Sequence, residues 1–123
     1  MLLTFDFSSN IPLYLQLRNQ VVIGIAEGKL LPGDRLPTIR ALAEESGINM
    51  MTVSRAYQLL KQEGYIITDR RSGAMISPRK AEPSIPKEVL DALRLHISEL
   101  HLAGMRQEEV INLCKKLYKE GLQ

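Results

Sequence analysis

Hydrophobic positions recur every three to four residues over the middle of the chain, a period that predicts α-helices. One helix is predicted over residues 38–46, with its apolar positions at Ile39, Leu42 and Ala43. A second is predicted over residues 50–63, with its buried stripe at Val53, Ala56, Tyr57 and Leu60. Between them, Gly47 suits the left-handed residue that follows a helix, and Asn49 suits an N-cap. The pattern therefore predicts a helix, a tight turn and a second helix.

After Gly64 the pattern changes from a helical period to short runs of β-branched and aromatic residues. Residues 65–68 (YIIT) and 74–77 (AMIS) are typical of two strands. The segment between them contains Arg70, Arg71 and Gly73, and glycine suits a turn position with positive φ. We predict a two-stranded hairpin, the wing, which carries two arginines at its turn.

The segments before this motif complete one domain. A helix is predicted over residues 11–27, with Pro12 in its first turn and Gly28 at its end. Its apolar positions predict a buried face formed by Tyr14, Leu17, Val21 and Ile25. Residues 1–9 have no period and are expected to form a loose N-terminal arm. We therefore predict a winged helix-turn-helix domain over residues 10–78.

The C-terminal part of the chain predicts a separate helical hairpin over residues 86–123. Prolines flank residues 79–85, which are typical of a linker, and Gly104 separates two predicted helices over 86–103 and 107–120. The apolar stripes of the two helices are Val89, Leu93, Ile97, Leu100, Val110, Leu113 and Leu117. Because paired helices cover only one face of each other, the remaining apolar surface needs either the first domain or a second subunit. A symmetric dimer is the more economical solution, so the stripes predict a dimerisation surface. The whole chain is thus expected to be mainly α within the α+β class.

Composition narrows the functional classes. The net charge of +2 excludes a strongly basic protein, but residues 1–80 contain ten Lys and Arg against seven Asp and Glu. The single cysteine, Cys114, excludes an internal disulfide, and its place in an apolar stripe favours a buried structural thiol over a redox role. No signal-peptide pattern is present, and no apolar run approaches the ~20 residues that cross a membrane. We expect a cytoplasmic protein without a membrane partner.

Sequence patterns typical of enzymes and metal sites are missing. The chain has no glycine-rich phosphate loop and no recognisable context for a nucleophile. His96 and His101 are five residues apart and so do not share a helical face, and no cysteine lies close enough to complete a ligand set. We expect neither catalysis, nor a metal, nor a cofactor.

The outer face of the second central helix is polar and indicates DNA binding. It carries Arg55 and Gln58, and such a helix can enter a major groove while a basic wing contacts the backbone. The alternative to DNA contact by Arg55 and Gln58 is a solvated helix face. For the wing arginines, the alternative to phosphate contact is that they are ordinary surface charges. Met51 could fill space at the helix start or contact a thymine methyl group. Another class also remains open: a winged-helix adaptor that binds an acidic protein partner and would show an exposed apolar patch on this face.

Several short motifs resemble the DNA-binding domain of the GntR family of bacterial transcription regulators. The matching stretches are residues 12–14 (PLY), 28–37 (GKLLPGDRLP), Arg40, 52–57 (TVSRAY), 63–64 (EG) and Gly73. The TVSRAY string and the short C-terminal region are most similar to the YtrA subfamily. The resemblance implies that Arg40 contacts DNA from the start of its helix. It also implies that Thr52 contacts a phosphate or base edge and that the backbone of Gly73 approaches the minor groove.

The chain departs from the family pattern at two positions. Many relatives have a basic residue in place of Met50 and an arginine in place of Ser54, whereas here the arginine follows one place later, at Arg55.

We expect a homodimeric regulator that binds a palindromic operator; the resemblance implies a repressor of its own operon or of a transporter operon. No residue indicates a small-molecule effector. The candidate DNA-binding residues are Arg35, Thr38, Arg40, Asn49, Met51, Thr52, Ser54, Arg55, Gln58, Arg70, Arg71 and Gly73.

Overall fold

The computed structural model describes residues 3–69, 73–78 and 84–121. Within them the elements are α1 (Leu13–Ala26), α2 (Ile39–Ser46), α3 (Met50–Gln62), β1 (Ile66–Asp69), β2 (Gly73–Ile76), α4 (Lys87–Leu102) and α5 (Gln107–Glu120). The chain forms two compact units, residues 1–79 and 80–123. The mainly helical fold with one small sheet confirms the predicted fold class.

Local signals place α2 and α3 as the sequence predicts. The hydroxyl oxygen of Thr38 accepts a 3.1 Å hydrogen bond from the Ala41 amide and caps α2. Gly47 follows with φ of 70°, in the left-handed region. The side-chain oxygen of Asn49 then accepts a 2.7 Å hydrogen bond from the Met51 amide and caps α3. Thr38 therefore determines where α2 begins, and Gly47 and Asn49 determine the turn between the helices.

A single apolar core joins the elements of the first unit, and α1 packs most extensively against α3. Its most deeply buried large side chains are Leu17, Val21, Leu42, Val53, Leu60, Ile66 and Ile76. Leu17, Val21 and Ile25 confirm the predicted face of α1. Tyr14 differs from that prediction because it is only partly buried, at the N-terminal end of the helix.

The wing has more strand pairing than the sequence predicts. β1 and β2 pair antiparallel, from Ile66 opposite Ile76 to Asp69 opposite Gly73. In addition, the Leu36 amide donates to the Ala74 carbonyl and the Ile76 amide donates to the Asp34 carbonyl, each at 2.9 Å. The segment before α2 thus lies beside β2 and connects the wing to the helices. Arg70 and Arg71 fall outside the described residues.

Residues 3–9 are not the loose arm that the sequence predicts. The Gln20 side chain accepts a hydrogen bond from the Thr4 amide at 2.9 Å and donates one to the Thr4 carbonyl at 2.6 Å. Gln16 makes the same pair of contacts with the backbone of Asp6, both at 2.9 Å. The two side-chain amides replace the hydrogen bonds of a neighbouring strand, and they hold this segment along α1.

The second unit is a helical hairpin whose turn includes Gly104 with φ of 97°. No side chain is buried in its described part, residues 84–121. Leu100, Val110 and Leu113 are partly buried, while four other stripe residues remain exposed: Val89, Leu93, Ile97 and Leu117. The predicted burial of Cys114 is wrong for the single chain, where it is exposed, since no further layer covers α5. Among the described residues, no helix has the length and apolar character needed to span a membrane.

Candidate nucleic-acid interface

The outer face of α3 is a polar surface apart from the methionines of its first turn. Arg55 and Gln58 are exposed, and Met51 is 80% exposed. Thr52 and Ser54 flank them and are partly buried. The opposite face supplies four core residues, so packing fixes which side chains α3 presents to the outside.

Two candidate residues also cap helices. Thr38 and Asn49 are exposed, and each uses its side-chain oxygen as an acceptor for a backbone amide of the following helix. The capping bonds leave the hydroxyl hydrogen of Thr38 and the NH₂ group of Asn49 as donors. Both residues can therefore contact a phosphate or a base edge without giving up the cap.

The segment that precedes α2 is joined to the buried face of α3 through Tyr57. Its hydroxyl donates a 2.7 Å hydrogen bond to the Pro37 carbonyl, next to the α2 cap. Burial of the ring raises the pKa of Tyr57 to about 12. Through this contact the buried face of α3 sets the position of the Pro37–Arg40 segment.

The charges at the interface differ from those that support the fold. Arg18 donates two 2.8 Å hydrogen bonds to Glu63, which raise the pKa of Arg18 and connect α1 to the end of α3. Arg35, Arg40 and Arg55 are exposed, and no carboxylate of the described residues forms an ion pair with them. Their guanidinium groups are thus available to phosphates and bases.

A groove of about 690 Å³ lies between the start of α1 and the outer face of α3. It is lined by Pro12, Leu13, Tyr14, Met51, Thr52, Ser54, Arg55 and Gln58. Inside it, the Arg55 guanidinium carbon lies 3.9 Å from the centre of the Tyr14 ring. The sequence prediction places Tyr14 in the core and misses this contact, although the 12–14 motif was an available signal.

The structure brings most of the predicted site into one unit of the fold. Thr52, Ser54, Arg55 and Gln58 share the groove, whereas Arg35 lies on the segment paired with β2, opposite Met75. Gly73 begins β2, is exposed and has φ of 69°. In the described part of the chain no cluster of His, Cys, Asp and Glu could hold a metal ion.

These features define a winged helix-turn-helix domain with an arginine-bearing recognition helix, α3. The model of the gntR family of bacterial regulatory proteins matches residues 13–76. The chain belongs to the GntR family.

Individual proteins agree with this assignment. The HTH-type transcriptional repressor YtrA of Bacillus subtilis (strain 168) is 31% identical over 119 residues, covering 94% of this chain and 92% of YtrA. The crystal structure of a transcriptional antiterminator from Listeria monocytogenes EGD-e has a TM-score of 0.86 and 29% identity, covering 96% of this chain and 90% of that one. The chain is thus a DNA-binding transcription regulator of YtrA type and not an enzyme.

A solved DNA complex shares the fold of the first unit. The DNA-binding domain of AraR in complex with operator ORX1 has a TM-score of 0.55 and 22% identity, covering 63% of this chain and 96% of that one. At 22% identity, this similarity shows only that the two domains share a fold.

Proposed function

We propose that the protein is a dimeric repressor that inserts α3 into the major groove of a palindromic operator. The observation that carries the proposal is the outer face of α3, where Arg55 and Gln58 are exposed beside partly buried Thr52 and Ser54. Arginine pairs with guanine and glutamine with adenine through two hydrogen bonds each in the major groove. We assign base contacts to these two residues and to Met51, and supporting contacts to Asn49, Thr52 and Ser54.

Backbone contacts are assigned to the residues around α3. Arg35, Thr38 and Arg40 are exposed on the segment that leads into α2 and on the first turn of α2, and none of the described carboxylates neutralises the two arginines. In this proposal the wing, with Arg70, Arg71 and Gly73, follows the neighbouring phosphates. Such contacts supply affinity and orientation but little sequence preference.

A protein–protein adaptor would need a broad apolar patch on α3. The exposed apolar side chains of this helix are Met50 and Met51, both in its first turn. The remainder of the outer face is polar or charged, and this favours a nucleic acid over an apolar partner surface.

Dimerisation is assigned to the helical hairpin. Its stripe residues Val89 and Leu93 are each about half exposed, with values of 51% and 50%, and Ile97 is 42% exposed. A second copy would cover this apolar surface, and each Å² of apolar area removed from water would stabilise the dimer by about 25 cal/mol.

The name of YtrA supports repression, and the family resemblance supports control of its own or a transporter operon. The proposal places the protein in the cytoplasm, where the bacterial chromosome lies, and identifies no effector.

The DNA proposal is tested by selecting bound fragments from a pool of random duplexes with the full chain. We expect an enriched sequence with two-fold symmetry, because a symmetric dimer presents two identical recognition helices. If no sequence is enriched while an acidic protein binds, the adaptor is the better interpretation.

The dimer is tested with Leu117→Asp, which places a charge on the exposed stripe, where Leu117 is 43% exposed. Asn112→Asp is the matched control, since it adds the same charge to α5 outside the stripe. Sedimentation should show a monomer for the first variant and a dimer for the second. A dimer for both would place the interface elsewhere, with the first helix as the next candidate.

A further inference from the structure

We propose that Tyr14 is a specificity-determining positioning residue: its ring holds the Arg55 guanidinium in the orientation that contacts a base. Part of the sequence preference of the recognition helix would then be set from α1. The inference rests on the proposed base contact of Arg55, and it adds a residue on another helix to that contact.

The geometry of the pair leaves the donors of Arg55 free. The guanidinium carbon is 3.9 Å from the ring centre, well within the ~6 Å range of a cation–π contact. The guanidinium carbon lies over the ring, and when a guanidinium stacks on a ring its N–H groups point outward in the plane of the group. The planar fork can therefore still donate two hydrogen bonds to one base.

No other described residue restrains Arg55. Its side chain forms no hydrogen bond or ion pair within residues 3–69, 73–78 and 84–121, and it is exposed. An arginine side chain without a partner samples many rotamers, and ordering it on DNA costs affinity. The Tyr14 ring reduces this cost because it restricts the side chain before DNA is bound.

The Tyr14 ring extends from a part of α1 that is firmly packed. Tyr14 lies one turn before Leu17, which is fully buried at 0% exposure. The next residue, Arg18, is joined to Glu63 by two hydrogen bonds of 2.8 Å. Because α1 packs against α3 and is joined to its C-terminal end, the position of the ring relative to α3 is well determined.

The test uses the full chain with Tyr14→Phe, Tyr14→Leu, Arg55→Ala and the double variant Tyr14→Leu/Arg55→Ala. Affinities are measured for the selected operator, for its single-base variants and for unrelated DNA. We expect Tyr14→Phe to keep the wild-type values because it keeps the ring. Tyr14→Leu should lose about twofold to fivefold per half-site, with the preference reduced at the base pair that Arg55→Ala affects.

Two comparisons separate positioning from a general structural effect. In the double variant, Tyr14→Leu should cause no additional loss, since Arg55 is already missing. Binding to unrelated DNA should change little, whereas a damaged fold would weaken binding to all DNA.

Three outcomes would overturn the inference. Wild-type preference in Tyr14→Leu would show that the ring is not needed, and tighter binding would show that the stack sequesters Arg55. An equal loss in Tyr14→Phe would assign the effect to the hydroxyl group. In each case the wild-type chain still selects an operator; a wild-type chain that selects none would instead overturn the proposed function, and the inference with it.

Discussion

The hydroxyl of Tyr57 donates a 2.7 Å hydrogen bond to the carbonyl oxygen of Pro37, and this joins the buried face of α3 to the segment that precedes α2. Two candidate DNA-binding residues, Thr38 and Arg40, lie within three residues of that carbonyl. The relative position of the recognition helix and of these residues therefore depends on a contact inside the fold.

We expect Tyr57→Phe to lower the free energy of unfolding by about 0.5–1.5 kcal/mol, because it removes the donor and leaves the Pro37 carbonyl without this partner. Urea unfolding measures the change. Tyr118→Phe is the control, since Tyr118 is 77% exposed on α5 and its hydroxyl makes no hydrogen bond in the described part of the chain. Equal midpoints for both variants would show that the Tyr57 hydrogen bond contributes no stability.

Alkaline pH should destabilise the protein through the same residue. Burial raises the pKa of Tyr57 from its ordinary value of 10.0 to about 12 in the folded chain. The unfolded chain therefore loses this proton first, so the stabilisation is complete below pH 10.0 and is lost as the pH rises through about 12. Urea unfolding across this range should show a steeper decline for the wild type than for Tyr57→Phe; parallel declines would contradict the assignment.

Gly47 should tolerate asparagine better than alanine. Its φ of 70° lies in the left-handed region, and an added Cβ would meet no atom within 4 Å, so any loss comes from the backbone conformation. We expect Gly47→Ala to cost about 1–2 kcal/mol and Gly47→Asn to cost less, because asparagine adopts this conformation more readily. Thermal unfolding of the two variants tests the order, and a reversed order would contradict it.

Arg40 should contribute to the salt dependence of DNA binding rather than to sequence preference. It is exposed and without an ion pair among the described residues, and a phosphate contact adds about −0.9 to the slope of log affinity against log salt. Arg40→Ala should make the slope of the dimer less steep by about two, since each subunit supplies one contact. Glu44→Gln, at another exposed position of α2, is the control. An unchanged slope with altered base preference would assign Arg40 to a base.

The helix-turn-helix could be predicted closely because its signals are local. The caps at Thr38 and Asn49 and the left-handed turn at Gly47 each depend on neighbours within a few residues. The apolar period likewise identified which face of α3 is buried and therefore which side chains are exposed at the site.

The missed features depend on contacts between distant parts of the chain. The pairing of Arg35 with Met75 joins segments forty residues apart, and the two glutamines that hold residues 4–6 have no hydrophobic period to reveal them. Tyr14 continues the spacing of Leu17 and Val21, so periodicity places it in the core. Only the packing of α1 on α3 shows that its ring instead meets Arg55.

Met51 offers the last test, because its side chain is 80% exposed at the start of a recognition helix and is free to meet an apolar group of the DNA. The methyl group of thymine is the apolar feature of the major groove. If Met51 contacts it, replacing one thymine of each operator half-site with deoxyuridine should weaken wild-type binding by about 1 kcal/mol or less per methyl group. Met51→Gln should bind both DNAs alike, whereas Met50→Gln, the neighbouring control, should keep the difference. Equal wild-type affinity for every thymine replacement would leave Met51 outside the set of base contacts.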